Sequence, residues 1–117
     1  MNLSEEETGH ANHLWGIILA DALYKLGIHQ VFFSPGSRST PLVLALENHE
    51  RIECTPILDE RSAGFIALGF SKRTKSPTAL LCTSGSALAN WFPAVTEASP
   101  SGTVSYTHLR AHETLPY

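Results

Sequence analysis

The first clear pattern in the chain is a set of apolar residues at helical spacing, Leu14, Ile17, Ile18, Ala22 and Leu26. This spacing predicts a helix over residues 13–26. Gly27 follows directly and favours termination of the helix there. Residues 1–12 are mostly polar and are interpreted as an N-terminal extension.

Short apolar runs alternate with further helical patterns along the rest of the chain. The predicted strands are residues 30–34, 52–58 and 78–82, and the predicted helices are residues 41–48, 60–72 and 84–98. Asp59 is well placed to cap the third helix. Strands separated by helices form a parallel sheet through right-handed crossovers, so residues 13–99 are expected to form an open α/β sheet with helices on both faces.

Three chemically distinctive loops follow the three predicted strands, at residues 34–40, 58–61 and 83–86. Ligands of open parallel sheets bind at the carboxyl ends of the strands, so these loops are expected to share one binding edge. Gly36 is expected to permit a turn conformation closed to other residues. Arg38 offers a planar donor fork suited to a carboxylate or phosphate. An alternative is that Ser39 caps the second helix and Arg38 points into solvent.

Glu60 is the most distinctive acidic residue, because it follows an apolar strand and opens a helix. Backbone N–H groups at a helix N-terminus stabilise a carboxylate, and a site that excludes water tunes such a group for proton transfer. The alternative interpretation is a first-turn glutamate that only complements the helix dipole.

Composition and charge exclude several classes of partner. The formal charge of −3 leaves no basic surface for nucleic acid or an anionic membrane. No apolar run is long enough to cross a membrane, and the polar start differs from a signal peptide, so a cytoplasmic location is expected. Cys54 and Cys82 stand singly in apolar runs and are interpreted as buried thiols.

Common catalytic motifs are absent from the sequence. Neither a P-loop nor a dinucleotide fingerprint is present. The turn at Ser84 lacks the glycine spacing of a nucleophile elbow, which disfavours a serine hydrolase. His108 and His112 stand one helical turn apart, but Leu109 occupies the position that a zinc protease gives to glutamate, so no metal site is predicted.

Three segments resemble a known family when they are taken together. They are SPGSRSTPL from residue 34, DERSAGFIALGFSK from residue 59 and TSGSALANWFPAVTEA from residue 83. In order and spacing they resemble the amino-terminal, pyrimidine-binding domain of the thiamine diphosphate enzymes. Within that family, the Ser-Arg-Ser-Thr element and the Asp-Glu-Arg triplet are similar to those of transferases of menaquinone biosynthesis, which decarboxylate 2-oxoglutarate and add the product to isochorismate. Acetolactate synthases and 2-oxoacid decarboxylases are the runner-up, although they usually carry His-Glu where this chain has Asp59 and Glu60.

The resemblance implies a role for each matching residue. Glu60 is expected to be catalytic, by hydrogen-bonding N1′ of the cofactor's aminopyrimidine, and Ser37 and Arg38 are expected to bind substrate carboxylates. The remaining cofactor-lining positions are Pro35, Thr83 and Asn90. The resemblance also implies thiamine diphosphate and Mg²⁺ in a longer parent that forms a homo-oligomer, with the diphosphate and metal sites outside this chain.

Residues 100–117 lack the apolar strand pattern that the family shows at this point, and they are interpreted as a non-native tail. The chain alone is therefore expected to be an inactive fragment that self-associates through exposed apolar surface. A non-catalytic α/β module that binds an anion or a partner through the same loops remains an alternative.

Overall fold

A parallel sheet with helices on both faces organises the chain. The computed structural model describes residues 4–36, 39–83, 85–98 and 107–110. In chain order the elements are α1 (Glu5–Lys25), β1 (Gln30–Phe33), α2 (Thr40–Glu47), β2 (Glu53–Pro56), α3 (Glu60–Thr74), β3 (Ala79–Cys82), a 3₁₀ helix (Gly85–Trp91), α4 (Phe92–Ala98) and β4 (Thr107–Arg110).

The strands are all parallel and lie in the order β2-β1-β3-β4. Phe33 at the end of β1 is level with Pro56 of β2 and with Leu81 of β3. The carboxyl ends of these three strands therefore lie at one edge of the sheet. This arrangement confirms the open parallel α/β sheet predicted from the sequence.

Alternating strand residues form two separate cores, because successive side chains of a strand point to opposite faces. One core packs Val31 and Phe33 against α1 and α2. The other packs Phe32 and Leu80 against α3 and the 3₁₀ helix, with Trp91 only 1% exposed. The β1 and β3 residues are buried throughout, as expected of parallel strands that are covered on both faces.

The first helix begins eight residues earlier than the apolar spacing predicted. Ser4 caps it by accepting a hydrogen bond from the Glu7 backbone N–H at 3.1 Å, and the Glu7 carboxylate accepts one from the Ser4 N–H at 3.0 Å. This is a capping box, which satisfies two N–H groups that would otherwise lack partners. Most of the polar segment interpreted as an extension therefore belongs to α1. The helix ends before Gly27, whose φ angle is +88°.

The fourth helix is not continuous, in contrast to the prediction over residues 84–98. A 3₁₀ helix ends at Trp91 and an α-helix begins at Phe92. Pro93 explains the change, since proline lacks an N–H group and clashes with the carbonyl four residues earlier inside a helix, but is tolerated in a first turn.

The strand boundaries also differ from the predictions. The predicted second strand extended to Leu58, but β2 ends at Pro56, and Leu58 is 86% exposed. Residues beyond 99 were predicted to lack a strand, whereas Thr107–Arg110 pairs with β3 as β4. Backbone hydrogen bonds between strands do not require alternating apolar side chains in the added strand, so the sequence pattern did not reveal β4. The non-native origin of residues 100–117 stays a prediction.

The described residues include no helix that is both long and apolar enough to cross a membrane.

Candidate functional site

The loops after β1, β2 and β3 are connected by backbone hydrogen bonds at the carboxyl edge of the sheet. The Ser34 N–H donates to the Leu81 carbonyl at 3.0 Å, and the Ile57 N–H donates to the Phe33 carbonyl at 2.8 Å. These bonds continue the pairing of the strands by one step into the loops. These hydrogen bonds therefore hold the three loops together where they leave the strands, at the edge predicted to bind a ligand.

Gly36 brings the first and third loops into direct contact. A Cβ atom added at Gly36 would lie 2.6 Å from the Cβ of Thr83 and 2.9 Å from its Oγ1. The φ angle of Gly36 is not positive, so the predicted reason for glycine, a turn closed to other residues, was wrong. Glycine stands here because the backbone of the first loop lies directly against the Thr83 side chain.

Ser39 closes the turn after Gly36. Its N–H donates to the Gly36 carbonyl at 3.1 Å, and its buried hydroxyl donates to the same oxygen at 2.8 Å. Ser39 makes no side-chain capping bond to α2. Ser39 is thus the N-cap residue of α2, as the alternative predicted, but its hydroxyl does not bond to the helix N–H groups.

Glu60 is the first residue of α3 and is half-buried. Asp59 caps the helix as predicted, accepting hydrogen bonds from the backbone N–H and the hydroxyl of Ser62 at 2.9 and 2.8 Å. These bonds lower the pKa of Asp59. Within the described ranges no group donates a hydrogen bond or forms an ion pair with the Glu60 carboxylate. Its acceptor oxygens are therefore available to a ligand.

Close helix packing sets the direction of α3. A Cβ atom at Gly64 would lie 3.1 Å from the Cβ of Ala94 and 3.6 Å from Cδ1 of Trp91. Small residues thus allow α3 to lie against the 3₁₀ helix and α4. The packing holds the start of α3, and with it Glu60, at the carboxyl edge of the sheet.

Apolar side chains remain exposed in the loop before α3, in its second turn and at the start of α4. Leu58 is 86% exposed, and Phe92 at the start of α4 is 71% exposed. The Arg61 guanidinium lies 6.0 Å from the centre of the Phe65 ring, itself partly exposed. Large apolar side chains with this exposure are typical of a surface that another domain covers.

The other predicted site residues differ in exposure, and some lie outside the described residues. Thr83 is half-buried against Gly36, and Pro35 is exposed beside it. Asn90 is exposed on the 3₁₀ helix, where its Nδ2 donates to the Ser86 carbonyl at 3.1 Å. Ser37 and Arg38 lie outside the described residues, as does His112. Among the residues that are described, no group of three or more His, Cys, Asp or Glu side chains could hold a metal ion.

Ser34 is a polar group of the site that the sequence pattern did not reveal. It begins the first loop, as predicted for residues 34–40, but it is 1% exposed and its hydroxyl has no hydrogen-bond partner. A buried hydroxyl without a partner is destabilising unless it binds water or a ligand. No motif or spacing in the sequence signals this.

The two cysteines differ in burial. Cys82 is buried in β3, and Cys54 of the edge strand β2 is half-buried. Burial, together with the nearby charges of Glu47 and Glu53, raises the pKa of Cys54 to about 11. Its thiol is therefore inert at neutral pH, in agreement with a structural interpretation.

The chain is similar to several known proteins. Residues 15–103 match the family "Thiamine pyrophosphate enzyme, N-terminal TPP binding domain". Curated relatives with the name 2-succinyl-5-enolpyruvyl-6-hydroxy-3-cyclohexene-1-carboxylate synthase include those of Microcystis aeruginosa, 57% identical over 90 residues, and Natronomonas pharaonis, 55% identical over 91 residues. These matches cover 77% and 78% of this chain but only 16% of each relative. The chain thus spans about a sixth of the length of these relatives.

A solved structure has the same fold. Benzoylformate decarboxylase from Polynucleobacter necessarius superposes with a TM-score of 0.68, at 24% sequence identity, over 80% of this chain and 17% of that protein.

Proposed function

Since the chain belongs to the thiamine pyrophosphate enzymes, in their N-terminal TPP binding domain, we propose that it is the start of a transferase that decarboxylates 2-oxoglutarate and adds the remaining unit to isochorismate. The relatives that share more than half of the aligned residues carry the name of that synthase. The parent enzyme is proposed to be a cytoplasmic homo-oligomer, with Mg²⁺ bound outside this chain.

The observation that carries the proposal is the unpartnered, half-buried Glu60 at the start of a firmly capped helix. A carboxyl group in this position fits N1′ of an aminopyrimidine, because it would share one proton with that ring nitrogen, and the N–H dipoles of the first turn of α3 favour its carboxylate form. When bound, thiamine diphosphate supplies the electron sink for decarboxylation and carbon–carbon bond formation. Through this shared proton Glu60 would hold N1′ and adjust the proton affinity of the 4′-amino group of the same ring.

The surrounding residues orient the ring. Gly36 and Thr83 hold the first and third loops together, which sets one wall of the site. Pro35 stands next to this wall, and Asn90 lies on the helix that follows the third loop. Asp59 is engaged with Ser62, so it acts as a positioning residue for Glu60.

Substrate recognition is proposed for Ser37 and Arg38. Both substrates are carboxylates, and the arginine guanidinium forms paired hydrogen bonds with a carboxylate. The exposed apolar side chains of Leu58 and Phe92 support completion of the site by a further domain of the parent, because they would exclude water once covered.

The test is a chimera in which residues 15–98 replace the matching segment of the Microcystis aeruginosa relative. We expect the chimera to form product, and we expect Glu60→Gln to slow exchange of the C2 proton of bound thiamine diphosphate by at least about a hundredfold, the scale of general acid–base catalysis. Exchange is followed by NMR in heavy water.

Glu50→Gln is the matched control, since Glu50 is an exposed glutamate in the turn before β2, at the opposite edge of the sheet. Normal exchange in the Glu60→Gln chimera would remove Glu60 from the mechanism. Genomic DNA read past the codon for Ser99 provides a second test. An open frame that continues to a Gly-Asp-Gly motif supports the transferase, and a verified stop after Tyr117 would contradict it.

A further inference from the structure

Ser34 is an exception among the buried polar side chains. Within the described ranges these side chains are Gln30, Ser34, Ser39, Ser71 and Thr78. The Ser71 hydroxyl donates to the Thr78 hydroxyl at 2.8 Å, and Gln30 and Ser39 donate to other residues at 2.9 and 2.8 Å. Of the five, Ser34 alone has a side chain without a hydrogen bond.

Ser34 lies on the same face of the sheet as Glu60. Side chains alternate between the two faces along a strand, and Phe32 packs on the face that α3 and the 3₁₀ helix cover. The Ser34 N–H donates to the Leu81 carbonyl at 3.0 Å, so the strand pairing continues through this residue. Ser34, two residues after Phe32, therefore directs its side chain to the α3 face, at the edge where Glu60 begins the helix.

Stability does not explain a serine at this position. A buried hydroxyl without a hydrogen bond keeps the full cost of leaving water, and alanine would remove that cost with little change of shape. Proteins accept such local costs mainly at functional sites. The Ser34 hydroxyl is therefore expected to be hydrogen-bonded in another arrangement of the site.

The Ser34 hydroxyl is covered by this chain itself. Ser34 is 1% exposed, so neither a further domain nor a ligand can contact it while the loops keep the described arrangement. A hydrogen bond to this hydroxyl therefore requires a shift of the first loop, which begins with Ser34. A ligand that binds better to the shifted loop changes the equilibrium between the two arrangements.

The next backbone donor along the chain from Ser34 is the Gly36 N–H. Pro35 has no N–H group, and within the described ranges no group accepts a hydrogen bond from the Gly36 N–H. A serine hydroxyl that accepts from the N–H two residues later closes a tight turn, which is a common arrangement in loops. In the described arrangement Gly36 lies against Thr83 instead, and the Ser34 hydroxyl stays without a partner.

We propose that Ser34 is a positioning residue for the aminopyrimidine ring that Glu60 is proposed to bind. A ring at this edge moves Gly36 away from Thr83, and the Ser34 hydroxyl then accepts a hydrogen bond from the Gly36 N–H. The new bond favours the ring-bound arrangement of the first loop. This inference rests on the proposed function, and it adds a group that acts through the loop rather than by touching the ring.

Urea denaturation of the 117-residue chain without added cofactor tests the state of the hydroxyl. Ser34→Ala should raise the urea midpoint, because it removes a buried group that has no partner. Ser71→Ala is the matched control. Ser71 is also 1% exposed, but this substitution breaks the bond to Thr78, so the midpoint should fall. A midpoint lowered as far by Ser34→Ala as by Ser71→Ala would overturn the proposal, since the hydroxyl would then already be bonded.

Cofactor binding to the chimera with the Microcystis aeruginosa relative tests the role of Ser34 at the site. We expect Ser34→Ala to raise the dissociation constant of thiamine diphosphate by about fivefold, the contribution of one hydrogen bond, and Ser71→Ala to leave it unchanged. Calorimetry in the presence of Mg²⁺ measures this constant. An unchanged constant in Ser34→Ala overturns the role of Ser34 and leaves the proposed function intact, whereas an original chimera that does not bind the cofactor overturns both.

Kinetics of the same chimera separate positioning of the ring from contact with the substrate. With saturating cofactor, Ser34→Ala should keep the kcat and the KM for 2-oxoglutarate of the original chimera, because Ser34 acts on the occupancy of the ring. A raised KM for 2-oxoglutarate together with an unchanged cofactor dissociation constant would overturn the proposal and assign the hydroxyl to the substrate.

Discussion

At the scale of single residues, Gly36 shows how two loops depend on the absence of one methyl group. A Cβ atom there would overlap the Thr83 side chain, at 2.6 Å from its Cβ, which cannot move without the backbone. We expect Gly36→Ala to lower the free energy of unfolding by about 1–3 kcal/mol, the usual cost of overpacking. Urea denaturation of the chain measures this change.

Gly69 provides the control for that substitution. It lies inside α3 with no atom within 4 Å of an added Cβ. Gly69→Ala should stabilise the chain by roughly 0.5–1 kcal/mol, because alanine loses less backbone entropy in a helix. Equal effects at the two glycines would mean that Gly36 and Thr83 do not touch.

Individual residues were predictable where one local rule decides the outcome. Asp59 as a helix cap and Gly27 as a helix end follow from short-range rules, and the structure confirms both. The contact between Gly36 and Thr83 joins residues far apart in the chain, so no local pattern contains it. The same holds for the buried hydroxyl of Ser34.

At the scale of elements, α3 depends on its cap. The hydroxyl and backbone N–H of Ser62 lower the pKa of Asp59 below 3.8. A carboxyl group with a lowered pKa in the folded state contributes stability above its unfolded pKa and loses it as the pH falls through the folded value. We therefore expect Asp59→Ala to lower the melting temperature by a few degrees at neutral pH, and this difference to shrink below pH 3.8.

Asp59→Asn separates the hydrogen bond from the charge. Asparagine caps helices about as well as aspartate, so this variant should melt close to the original chain at neutral pH. Its advantage over Asp59→Ala should persist in acid, since the amide does not titrate in this range. If the difference in melting temperature between Asp59→Ala and the original chain stayed constant in acid, the proposed contribution of the Asp59 charge to stability would be wrong.

Elements were predictable in kind and order, but less so at their ends. The periodicity of apolar residues decides whether a segment is helix or strand, because it records which side faces the core. The start of α1 is set instead by the capping box of Ser4 and Glu7, where the apolar pattern has not begun. The break before Phe92 is set by Pro93, whose effect is steric.

At the scale of the whole molecule, the alternation of strands and helices predicted the parallel sheet and the shared edge of the three loops. The alternation of strands and helices did not predict β4. Its residues Thr107–Arg110 pair with Ala79–Cys82 through the backbone, and such pairing does not require a pattern of apolar side chains. The sheet therefore has one strand more than the sequence predicted.

The β4 pairing decides how the chain behaves when it is shortened. Ending the chain at Ala98 removes β4 and leaves the backbone N–H and C=O groups of β3 unpaired along one edge, next to residues that are fully buried in the intact chain. Because exposed, apolar edge strands pair with other chains, we expect this variant to form large aggregates in light scattering as its concentration rises. Ending the chain at Arg110 keeps β4 and should not aggregate. Equal scattering from the two shortened chains would show that β4 does not protect the edge of β3.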